Sequence, residues 1–85
     1  MNVLIADDDP VICQVLVDIL AELGHETSCT STAAETISAA GKGGFDLVLL
    51  DLRFPDCADL STLSEVRRQA PSTDVIMITA ETDDL

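Results

Sequence analysis

Three apolar runs constrain this chain more than any other feature: Val3-Leu4-Ile5-Ala6, Leu47-Val48-Leu49-Leu50 and Val75-Ile76-Met77-Ile78. A strand with one wet face alternates apolar and polar residues. An unbroken apolar run is instead a strand covered on both faces, as in a parallel sheet lying between helices. Each run stops at an oxygen-bearing residue. The first meets Asp7-Asp8-Asp9, the second Asp51 and the third Thr79. In open α/β sheets the carboxyl ends of parallel strands are where ligands sit.

The segments between these runs carry helix signals. Asp9-Pro10 is a helix start, with Asp9 as N-cap and Pro10 at the first helical position. Ile12, Val15, Leu16, Ile19, Leu20 and Leu23 then recur at helical spacing, with Gln14, Asp18, Ala21 and Glu22 on the other face and Gly24 as a stop. Glu26 to Thr30 reads as a short second strand. Thr32-Ala33-Ala34-Glu35 is a capping-box pattern for a second helix through about Ala40. That helix is rich in small residues and is expected to pack weakly. Gly41-Lys42-Gly43-Gly44 reads as a turn without phosphate-loop spacing. Asp46 to Asp51 is a third strand and 53–59 a loop. Leu60, Leu63, Val66 and Ala70 mark a third helix limited by Pro71, and residues 74–79 form a fourth strand. The order β-α-β-α-β-α-β predicts right-handed crossovers and a parallel, doubly wound sheet.

Composition narrows the class. With 85 residues there is room for one small domain, and 47% hydrophobic content is that of a globular chain. Two Phe with no Tyr or Trp leave an aliphatic core. Sixteen acids against four bases give a net charge of −12, which argues against nucleic-acid binding by this segment. The apolar runs are too short to span a bilayer. Cys13, Cys29 and Cys57 show no metal spacing and no disulfide framework, so a reduced, cytoplasmic setting is the simplest fit. His25 reads as a surface residue, and Arg67-Arg68 complement the dipole of the third helix.

The acids demand more than solubility. Two carboxylates ~4 Å apart repel by about 4 kcal/mol at an effective dielectric of about 20. Asp7, Asp8 and Asp51 converging on one sheet edge therefore call for a hard divalent cation such as Mg²⁺. Asp51 follows four apolar residues of a buried strand, where a lone charge is costly. A carboxylate there is also a competent nucleophile for phosphoryl transfer, forming an acyl phosphate.

Leu4-Ile5-Ala6-Asp7-Asp8-Asp9-Pro10, Leu49-Leu50-Asp51-Leu52-Arg53-Phe54-Pro55 and Val75-Ile76-Met77-Ile78-Thr79-Ala80, in this order and spacing, resemble the receiver domain of two-component response regulators. The resemblance covers the whole chain and implies a flavodoxin-like fold. It implies that Asp51 accepts a phosphoryl group from a sensor histidine kinase or phosphotransfer protein. Asp8, Asp51 and the backbone carbonyl of Arg53 would ligate Mg²⁺ directly, and Asp7 through a water. Thr79 would supply the switch hydroxyl, with Ala80 as the small residue beside the phosphoryl group. Such a domain regulates an output, commonly transcription, and is a phosphoacceptor with at most self-phosphorylation and self-dephosphorylation.

The chain departs from that family twice. Asp59 stands where the loop before the third helix usually has Gly. The family's fourth helix, fifth strand and fifth helix, with a phosphoryl-contacting Lys, have no counterpart in the sequence, whose one Lys is Lys42. Residues 1–85 therefore read as one receiver truncated after its fourth strand, with a weak, short-lived phosphorylation and a homodimer through the exposed fourth strand as expectations. Two other readings stay open. One is a receiver remnant that binds partners without phosphorylation. The other is a haloacid-dehalogenase-like phosphatase with Asp7 as nucleophile, since Asp7-Asp8-Asp9-Pro10-Val11 fits that signature.

Overall fold

A computed structural model describes residues 1–57 and 60–78. Four strands alternate with three helices: β1 (Asn2–Ala6), α1 (Pro10–Glu22), β2 (Glu26–Thr30), α2 (Ala33–Lys42), β3 (Leu47–Asp51), α3 (Ser61–Gln69) and β4 (Asp74–Ile78). The strands form one parallel sheet in the order β2-β1-β3-β4. This is the doubly wound α/β arrangement that the apolar runs predict. Among the described residues no helix is long and apolar enough to cross a membrane. Thr79, Ala80 and Asp59 lie outside the described residues.

Two helix starts follow from local chemistry. The Asp9 carboxylate accepts from the Val11 N–H at 2.9 Å, and Pro10 opens α1. Thr32 Oγ1 accepts from the Glu35 N–H at 3.1 Å. The Glu35 carboxylate reaches back one residue further than a standard capping box and accepts from the Ser31 N–H at 3.0 Å.

The sheet separates two apolar layers. Leu4 and Ala6 of β1 and Val48 and Leu50 of β3 face α2 and α3, and cluster with Ala33, Ala40, Phe54 and Val66. Val3 and Ile5 are buried on the opposite face, the one on which α1 packs. All four residues Val3–Ala6 are buried, as a central strand covered on both sides requires.

Four expectations are corrected. α1 buries none of its residues fully: Val15, Ile19 and the C-cap Leu23 are 50, 49 and 67% exposed, although they share the helical apolar spacing. The reason is that α1 packs on β1 and β2, so only the side carrying Ile12, Cys13, Leu16, Val17 and Leu20 is partly covered. α2 does not pack weakly. Ala33, Thr36 and Ala40 are buried, because small side chains let α2 approach the sheet and α3 closely. Gly41 and Lys42, expected in a turn, continue that helix. A Cβ on Gly41 would lie 3.0 Å from Gln69 Oε1 of α3, and the chain leaves the helix at Gly43 with φ +80°. Finally, Leu60 is the exposed residue before α3 and not part of its buried face.

Candidate functional site

Register brings the carboxylates together. Ala6 pairs with Leu50 across β1 and β3, so the next residue of each strand, Asp7 and Asp51, emerges side by side at the carboxyl edge. One carboxylate oxygen from each of Asp7, Asp8 and Asp51 falls within a 4.8 Å group. The structure thus gathers the three acids that the sequence singles out. Asp51 pairs with Ile78 of β4. Thr79 follows Ile78, but Thr79 and Ala80 are outside the described residues.

Asp7 is the most constrained member. It is 5% exposed. Its N–H donates to the Thr30 carbonyl at 3.1 Å, and its carbonyl accepts from the Cys13 thiol at 3.3 Å. Its Oδ1 accepts from the Asp9 N–H at 2.9 Å. Burial pushes the Asp7 carboxyl above its ordinary range. The Asp9 N–H opposes that rise, while the neighbouring charges of Asp51 and Asp8 add to it. Asp8 is exposed and Asp51 half-buried. Asp51 Oδ1 accepts from the Arg53 N–H at 3.4 Å, a long bond. Asp9 is occupied elsewhere, as the α1 cap.

The donor set suits Mg²⁺. All three donors are carboxylate oxygens, as a hard cation requires, and the acidic cavity beside Asp7 and Asp8 has no Lys or Arg in its described lining. Ligands at about 2.1 Å on opposite sides of an octahedral ion sit roughly 4.2 Å apart. A group spanning 4.8 Å therefore reaches one ion with a small inward shift or through one water.

Sequence reasoning missed Asp56. It lies in the loop after β3, and its two carboxylate oxygens accept from the N–H groups of Ala33 at 2.8 Å and Ala34 at 3.0 Å. These bonds hold the Asp56 carboxyl below its ordinary range. They also fasten the loop that follows Asp51 onto the N-terminus of α2. No local signal marks this pairing, because the partners lie 23 and 22 positions apart.

Two cavities deserve separation. The one at the carboxylate end, about 440 Å³, is lined in part by Asp7, Asp8, Cys13, Cys29 and Glu35. A larger one of about 780 Å³ lies at the opposite end of the sheet, beside Met1, Leu47, Arg67, Pro71 and Asp74. Asp7, Asp8 and Asp51 do not line it.

A parallel sheet in the order β2-β1-β3-β4 with three acids at its carboxyl edge defines a receiver-type α/β domain. The model of the response regulator receiver domain matches residues 3–85, and the chain belongs to that family. It is 34% identical over 79 residues to the uncharacterized transcriptional regulatory protein YkoG of Bacillus subtilis, covering 93% of this chain and 35% of the relative. It is 33% identical over 80 residues to the DNA-binding transcriptional regulator NtrC of Azospirillum brasilense, covering 94% of this chain and 17% of the relative. The chain thus spans between about a sixth and about a third of these relatives. The solved response regulator TrrA of Thermotoga maritima, in complex with Mg²⁺-BeF, superposes with a TM-score of 0.87 at 29% identity, over 96% of this chain and 71% of that one. TrrA has also been solved with the histidine kinase ThkA; there the TM-score is 0.85 at 30% identity, over 95% of this chain and 70% of that one. Receiver domains are signalling domains of two-component systems, and the relatives named here are transcriptional regulators.

Proposed function

We propose that this receiver accepts a phosphoryl group on Asp51 from a histidine kinase or phosphotransfer protein and thereby regulates a transcriptional output. The observation that carries the reading is the convergence of Asp7, Asp8 and Asp51 oxygens within 4.8 Å at the strand ends. The kinase partner is inferred from the ThkA–TrrA complex, and Mg²⁺ from the Mg²⁺-BeF complex of TrrA together with the fit of the donors. A cytoplasmic setting follows from such a partner.

Among the acids, Asp51 is the suited nucleophile. It is half-buried and ends its strand, so part of its surface is accessible to an incoming donor, whereas Asp7 is buried and bonded to the Asp9 N–H. An Asp51 oxygen attacks phosphorus as the phosphorus–nitrogen bond of a phosphohistidine breaks, and the imidazole leaves with the electron pair. Asp8, Asp51 and the Arg53 carbonyl would hold Mg²⁺, with Asp7 acting through water. When bound, the ion offsets the charge that builds on the phosphoryl oxygens. Thr79 would donate its hydroxyl to the phosphorylated site, and Ala80 would leave room for it. The phosphatase alternative needs Asp9 in the site, but Asp9 caps α1.

Intact-mass analysis after acetyl phosphate and Mg²⁺ tests this. The wild type gains one phosphoryl adduct that maps to Asp51, Asp51→Asn gains none, and Asp7→Asn gains it more slowly. An adduct persisting in Asp51→Asn overturns the assignment. An unmodified wild type with an intact fold favours a receiver that acts by binding alone.

A further inference from the structure

The fold brings together two cysteines that the sequence leaves unrelated. Thr30 of β2 bonds Thr36 of α2 at 2.7 Å, so Thr30 faces the α2 layer. Its neighbour Cys29 therefore faces the α1 layer. Cys13 of α1 comes down on the same spot. Both side chains line the cavity that holds Asp7 and Asp8, near enough for each thiol to perturb the other. Cys29 is exposed on an edge strand, while Cys13 is half-buried with its S–H directed at the Asp7 carbonyl at 3.3 Å. Cys57 packs against the apolar cluster on the other face of the sheet. Two thiols on one cavity, one exposed and the other half-buried, are the arrangement of an attacking and a resolving cysteine.

We propose that Cys13 and Cys29 are an oxidisable pair that closes to a disulfide joining α1 to the edge strand β2. With a peroxide as oxidant, the Cys29 sulfur attacks one peroxide oxygen. The O–O bond breaks, giving a sulfenic acid on Cys29 and one water. The Cys13 sulfur then attacks the sulfenic sulfur. The S–S bond forms, the S–O bond breaks, and the hydroxyl leaves as a second water with the thiol proton. Two thiols lose two electrons and one peroxide is reduced to two waters. The step removes the S–H donor from the Asp7 carbonyl, so oxidation is felt at the acidic edge whether or not Asp7 holds a cation.

The test is thiol counting and mass spectrometry on the folded chain, with no cation or phosphoryl donor present. Equimolar peroxide is expected to consume two of the three thiols and lower the mass by two hydrogens. Digestion at the glutamates between them should leave the Cys13 and Cys29 peptides linked. Cys57→Ser keeps the bond, while Cys13→Ser and Cys29→Ser each abolish it. In a glutathione redox buffer the folded chain should form it with an equilibrium constant about 100-fold above that of the urea-unfolded chain, the scale for a closed loop of about 15 residues. Linkage through Cys57, a cross-linked dimer, three surviving thiols, or equal yield in folded and unfolded chains would each overturn the proposal.

Discussion

Asp7 and Asp56 show how one residue type takes opposite roles in this fold. Asp7 is buried beside two other acids, and its carboxyl is raised by that burial first. The folded state therefore holds its proton more tightly than the unfolded one, and Asp7 lowers stability as pH rises from the ordinary carboxylate value through the raised one. Asp7→Asn is expected to stabilise the cation-free protein at neutral pH by roughly 1 kcal/mol, the scale of one well-screened like-charge contact. It should also blunt the stabilisation that Mg²⁺ confers on the wild type. Urea unfolding with and without Mg²⁺ checks both parts. A less stable variant in the absence of Mg²⁺ would mean that the bond from the Asp9 N–H outweighs the repulsion. Asp56 is the reverse case, because the Ala33 and Ala34 N–H groups lower its carboxyl. Its contribution is present above the ordinary carboxylate value and is lost as pH falls through the lowered one. Asp56→Asn should reduce the unfolding midpoint at neutral pH, and the gap to wild type should close on acidification. A gap that stays constant with pH would show that the carboxylate's charge plays no part.

At the scale of elements, α2 is the instructive piece. Its small residues bury rather than loosen it, since Ala33, Thr36 and Ala40 sit in the layer shared with Val48, Leu50 and Val66. Thr36 is fully buried yet satisfied, bonding the Thr32 carbonyl at 2.8 Å and Thr30 at 2.7 Å. Gly41 lies inside the helix, and the atom that its added Cβ would approach, at 3.0 Å, is the end of the exposed Gln69 side chain. That side chain can swing aside. Gly41→Ala should therefore keep most of the helix-propensity gain and stabilise the chain by about 0.5 kcal/mol. Thermal unfolding reads this out, and a lowered midpoint would mean that α3 needs the close approach. α1 behaves differently, because half of its apolar surface has no cover among the described residues.

Across the whole molecule, that uncovered surface forms one side. Ile76 of β4 pairs with Leu49 and is 52% exposed on the sheet face shared with α1, whose Val15 and Ile19 are also exposed. β4 is also an edge strand with unpaired backbone groups along its outer side among the described strands. Apolar edges of this kind template pairing with a second copy. The net charge of −12 opposes close approach. The 85-residue chain is thus expected to self-associate more strongly as salt screens the repulsion. Sedimentation at low and moderate ionic strength checks it, and a monomer at high concentration under both conditions would show that the side is covered.

What the sequence determined by itself is whatever depends on neighbours along the chain or on strand period. The unbroken apolar runs require strands covered on both faces, and the Asp9 and Thr32 caps act within three residues of themselves. All strands of a parallel sheet share one carboxyl edge, so acids that end such runs gather along it, and Asp7, Asp8 and Asp51 were legible as a group for that reason. The tertiary structure alone decided what depends on strand order and on the side to which each helix crosses. That includes which half of α1 is covered and how closely α2 approaches α3. It includes the grip of Asp56 on α2 and the placing of Cys13 and Cys29 on one cavity. Each joins residues far apart along the chain, and nothing in local spacing records a distance that only the assembled layers create.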